Sequence, residues 1–108
     1  MNIKKLNEEL DKILNEEKDI YWEQSIDDQK QKCKTWAENN GYTCEFEYEI
    51  GDGNNTIKTF DNYRDANQYF KDLTVKFPDN YFDLVCQVNG YKDEQEISLD
   101  NIVVAYYN

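Results

Sequence analysis

Glu45, Glu47 and Glu49 occupy alternate positions of one short segment, and Asp52 follows three residues later. In an extended chain alternate side chains share a face, about 6.6 Å apart. That interval is roughly twice the ~3.4 Å axial charge spacing of one DNA strand, so such a row of carboxylates can present negative charge as a phosphate backbone does. Asp93, Glu94 and Glu96 form a second acidic group. The chemistry on offer is recognition of lysine and arginine side chains, with no bond made or broken. The competing account is a solvated strand face whose like charges deter edge pairing. Tyr81, Tyr91 and Tyr107 are the aromatic candidates beside these acids. Tyrosine joins a large apolar ring to a polar hydroxyl and loses little entropy when fixed, which suits an interface anchor.

Catalytic chemistry has little to work with. The chain has no His, which removes the commonest general base and metal ligand together. Cys33, Cys44 and Cys86 fall on apolar faces among carboxylates, where the thiolate is disfavoured, so they read as reduced core thiols. Asp52, Asn54 and Thr56 alternate as calcium ligands do, but the sixth and twelfth positions of that loop are Ile57 and Tyr63, where an EF-hand needs Gly and Glu. No cofactor, metal or enzymatic activity is expected.

The elements that must position these residues follow from periodicity. Ile3, Leu6, Leu10, Ile13 and Leu14 recur at intervals of three and four, so an amphipathic helix is expected there. A bend through residues 19–24 carries Ile20, Tyr21 and Trp22. Ser25 is expected to cap a second helix through its side chain, with Ile26, Cys33, Trp36 and Ala37 facing inward and Gly41 closing it. These helices span about residues 3–40. From Tyr42 the period changes to two, with Tyr42, Cys44, Phe46, Tyr48 and Ile50 on the inner face and the glutamates on the other. With the turn at Gly51 to Asn55 this predicts a hairpin over about residues 42–60. Asp61 or Asn62 then caps a helix over about 62–77, in which Tyr63, Ala66, Phe70, Leu73 and Phe77 face inward. Residues 81–107 read as a three-stranded meander, because Asn89-Gly90 is a preferred two-residue hairpin turn. The expected fold is a single α+β domain of order ααββαβββ, an antiparallel sheet of about five strands with about three helices on one face.

Composition narrows the function. With 108 residues there is room for one domain, and 39% hydrophobic content argues for a folded core. The balance of 23 acids against 12 bases gives a net charge of −11, which repels nucleic acid and anionic lipid and favours a basic protein surface as partner. No apolar run suits a membrane span or an export signal, so a cytoplasmic protein, monomeric or homodimeric, is expected.

In size, charge and α+β layout the whole chain resembles the small acidic inhibitors of phages and mobile elements, of the anti-CRISPR and anti-restriction type. Those inhibitors share no common motif, so the resemblance transfers no residue roles. It implies a non-enzymatic protein that blocks the basic nucleic-acid-binding surface of a CRISPR or restriction nuclease in the host bacterial cytoplasm, by DNA mimicry if the carboxylates stand in for phosphates. Two alternatives stay open: an immunity protein that neutralises a cationic toxin nuclease, and a structural or regulatory phage or plasmid module that dimerises through its C-terminal strand.

Overall fold

The computed structural model describes residues 19–108, so the helix expected over Ile3 to Leu14 lies outside the described residues. Within them the order is β1 (Ile20–Trp22), α1 (Ile26–Asn39), β2 (Thr43–Gly51), β3 (Thr56–Phe60), α2 (Tyr63–Lys76), β4 (Phe82–Lys92) and β5 (Gln95–Tyr107). The α+β class holds. The five strands form one antiparallel sheet in the order β1-β5-β4-β2-β3, with two helices among the described residues.

The strand count matches expectation by a different route. Ile20, Tyr21 and Trp22 are not a bend: they pair with Tyr107, Tyr106 and Ala105 as a short edge strand. The meander is instead one long hairpin, because β4 runs straight through Asn89-Gly90 and turns at Asp93-Glu94, where Asp93 takes φ 55. Register explains this. A turn at Asn89-Gly90 would set Asp93 and Gln95 against Cys86 and Leu84, whereas the observed one sets Ile102 against Cys86 and Ala105 against Leu84. Matching two apolar rows outweighs a local turn preference, since a register shift exchanges core and solvent faces. Gly90 has a packing role: a Cβ there would lie 3.3 Å from Ile97 and 3.4 Å from Leu99.

The core lies between the helices and one face of the sheet. Tyr48, Ile50, Leu84, Cys86, Val88 and Ile102 line that face beneath Ala66 and Phe70 of α2, and Ala37 of α1 is also buried. Phe70 is fully buried, and removing a side chain of this size from water stabilises by roughly 1.5–3 kcal/mol. Three expected inner residues stay outside: Trp36 is 46% exposed and stacks on Tyr42 at 5.7 Å, Tyr63 is exposed at the start of α2, and Phe77 sits past its end.

Capping differs between the helices. Asn62 Oδ1 accepts from the Asp65 N–H at 2.9 Å, as its position predicts. Ser25 makes no such bond: its backbone, at φ −96 and ψ 12, is not in the extended conformation of a capping residue, and its hydroxyl accepts from Gln29 Nε2 at 3.0 Å. At the far end of α1, Gly41 takes φ 79 and Tyr42 N–H reaches back to the Ala37 carbonyl at 2.8 Å, closing the helix as expected. No described helix is long and apolar enough to cross a membrane.

Candidate functional site

The alternation that buries Tyr48 and Ile50 sends Glu45, Glu47 and Glu49 to the opposite face of the sheet, which neither described helix covers. There the three glutamates form a column along β2. Directly across β4 their partners are Asn89, Gln87 and Val85, and across β3 Glu49 meets Thr59, so none faces a cation in its own sheet.

Charge divides by face. Lys30 lies over the Phe46 ring at 4.6 Å and donates to the Tyr48 hydroxyl at 2.9 Å, both on the helix-covered side. Lys58 lies 5.0 Å from the Tyr69 ring, Lys71 5.6 Å from Trp22 and Lys92 5.4 Å from Tyr42. Each of these ammonium groups sits against an aromatic of the covered side or its rim, a favourable cation–π placement. By strand register, no Lys or Arg occupies an outward strand position of the open face among the described residues.

The second acidic group adjoins the first. Asp93 and Glu94 form the exposed β4–β5 turn at one end of the column, and Glu96 follows on β5. The Tyr91 hydroxyl donates to Glu96 Oε1 at 3.2 Å. Burial, that bond and the charges of Glu96, Glu45 and Glu47 together hold the Tyr91 hydroxyl above its ordinary pKa, so one negative field reaches across both groups. At the other end Asp52 Oδ1 accepts from the N–H groups of Asn54 and Asn55 at 3.0 and 2.8 Å, which pulls its pKa down and keeps it ionised. Along β2 the acidic band therefore runs for about 30 Å.

The aromatic candidates fare unevenly. Tyr81 is exposed beside Asp83, and Tyr91 is half-buried. Tyr107 is a correction. It is 7% exposed, and its hydroxyl donates to the Pro78 carbonyl at 2.8 Å, so it belongs to the core and is no surface anchor. A bulge causes the exchange: Leu84 pairs with Ala105 and Val85 with Val103, leaving Val104 between, which turns Tyr107 inward and Tyr106 outward.

Several further residues of this face join the glutamates without having been site candidates. Tyr21 and Tyr106 stack at 5.0 Å, and they are 49% and 40% exposed. Val103 is exposed on the same face, next to half-buried Val85. Asp83 stands opposite both Gly51 and Tyr106, and burial is the largest influence on it, pushing its carboxyl up despite bonds from Tyr81 and the Gly51 backbone. A shallow hollow of about 400 Å³ opens here between Glu49, Asp83 and Asn54. The period of two from Tyr81 to Val88 sets Asp83 and Val85 on the outward face in the sequence itself, whereas the Tyr21-Tyr106 stack depends on cross-strand register.

No protein-family model, curated protein or solved structure matches this chain. The three thiols are unpaired and each is pushed up in pKa chiefly by burial, which leaves them poor nucleophiles. No cluster of three or more metal-ligating acids or thiols exists among the described residues. What the open face can do is bind: a carboxylate band for cations, beside stacked tyrosines and a valine pair for apolar contact.

Proposed function

We propose that this protein is a non-enzymatic inhibitor that docks the open face of its sheet onto the basic nucleic-acid-binding surface of a nuclease of the CRISPR or restriction type. The observation that carries this reading is the division of charge: the face holds Glu45, Glu47 and Glu49 without a cation among its strand positions, while Lys30, Lys58 and Lys92 lie on the other side or its rim. Lysine and arginine side chains that grip phosphates would meet carboxylates at a regular interval. Long-range attraction speeds the encounter, and the Tyr21-Tyr106 stack with Val103 supplies apolar contact that slows release.

The test is charge reversal at Glu45→Lys, Glu47→Lys and Glu49→Lys together. Wild type added to such a nuclease should block its DNA binding, with a potency that falls as salt rises. The triple variant should keep the wild-type circular dichroism spectrum and lose inhibition. Undiminished inhibition by the triple variant would remove the open face as the contact surface.

A further inference from the structure

We propose that the edge of β5 left unpaired among the described residues takes up an extended basic segment of a partner protein as a sixth strand. In assigning a basic partner this rests on the reading above, but it uses a separate surface. Strand β1 covers only Ala105, Tyr106 and Tyr107, with one more bond from the Glu23 N–H to the Val104 carbonyl at 2.8 Å. Among the described residues no strand lies beyond residues 95–103 of β5. A sheet edge presents a row of backbone donors and acceptors, and an added strand satisfies them.

The other edge of the sheet is guarded differently. Strand β3 is five residues long, its pairing is broken by an irregularity at Ile50/Gly51, and Lys58 stands on it. Short length, a bulge and a lysine each discourage a further strand. The open part of β5 has no Lys or Pro. It carries an irregularity at Leu99 and two exposed acids on opposite faces: Glu96 on the open side, and Asp100, opposite Val88, on the helix-covered side with its carboxylate 4.0 Å from the Cys33 sulfur. Those acids make the edge selective. A second copy would bring a further chain of net charge −11 to an edge that already carries Glu96 and Asp100, while a strand with basic outward side chains would neutralise Glu96.

A groove of about 410 Å³ runs beside this edge, lined by Lys32, Cys33 and Trp36 of α1 and by Ile97, Ser98 and Leu99 of β5. Ile97 and Leu99 are half-buried on the helix-covered side, and Glu96 is on the open side across from Tyr91. A sixth strand would follow the same alternation. Its inward side chains would be apolar and lie against Trp36 and Leu99, and its outward side chains would be basic and lie near Glu96.

The probe is a synthetic peptide of about seven residues in which arginine and valine alternate, enough to span the open edge. The control peptide holds the same residues in two blocks. Amide exchange of the full chain is followed by NMR. The alternating peptide should slow exchange at outward-facing amides within residues 98–103 by about tenfold or more, and the block peptide should not. Glu96→Lys should weaken the alternating peptide at least about tenfold, and Trp36→Ala should weaken it with backbone shifts unchanged. Equal binding of both peptides, or protection confined to β3 or to the glutamate column, would overturn the proposal. So would full protection of these amides in the free protein, since the edge would then be filled already by this chain's own residues or by a second copy. None of these outcomes touches the inhibitor reading, which stands or falls with the glutamate triple variant.

Discussion

On one face of the sheet Tyr48, Leu84, Cys86 and Ile102 are buried against helix side chains, and on the other Glu47, Glu49, Val85 and Val103, each next to one of them in sequence, lie where neither described helix covers them. The same strands build both. Apolar burial on the covered side holds the sheet together, so the open side is free to carry charges that contribute nothing to folding and repel one another. Like charges left on one strand, with the lysines drawn to the opposite side, cost some stability in the free protein. That cost would be offset where a cationic surface covers the face.

The comparison breaks if the faces contribute equally to stability. Phe70→Ala on the covered side should destabilise by about 3–5 kcal/mol, since it removes a fully buried ring and leaves a cavity. Tyr106→Ala on the open side should cost about 0.5–1.5 kcal/mol, the worth of its stack on Tyr21. Urea unfolding measures both. A Tyr106 variant as damaging as the Phe70 variant would mean that the open face belongs to the core.

A smaller effect has the opposite sign. Replacing Glu45, Glu47 and Glu49 by Gln should raise stability by a few tenths of a kcal/mol for each relieved neighbour pair, and salt should raise wild-type stability more than that of the variant. Equal salt response in the two proteins would show that the column carries no net repulsion.

Much of this division was legible in the sequence where it depends on neighbours along the chain. The period of two from Tyr42 to Ile50 placed the glutamates on the open side, and Asn62 announced its cap, because alternation and capping are local. What depends on pairing between distant segments was not legible. Ile20 to Trp22 is too short to display a period, and only its partner β5 makes it a strand. Asn89-Gly90 reads as a turn until the apolar rows of β4 and β5 are aligned. Tyr106 and Tyr107 exchange faces through a bulge that no local pattern announces. The acidic column and the outward facing of Asp83 were therefore visible, while the Tyr21-Tyr106 stack and the place of Asp83 opposite Gly51 and Tyr106 come from cross-strand register.

Asp83 gives the finest test, because it is the carboxylate of the open face that burial touches most clearly. Burial raises its folded pKa above the unfolded value of about 3.9, and the Tyr81 hydroxyl and Gly51 backbone bonds oppose that only in part. Between those two pKa values the folded state binds more protons than the unfolded one, so stability falls as pH rises through the interval. Above the folded pKa the penalty is complete; below about pH 3.9 it vanishes because both states are protonated. Asp83→Asn keeps an oxygen for the Gly51 N–H and removes the charge. It should therefore stabilise the protein at neutral pH by about a few tenths of a kcal/mol, a small gain because solvent screens a half-exposed group. The gain should disappear in acid. Urea unfolding of both proteins at about pH 3.5 and about pH 7 separates the cases. A gain of equal size at both pH values would come from packing, and a loss at neutral pH would show that the Tyr81 and Gly51 bonds outweigh burial.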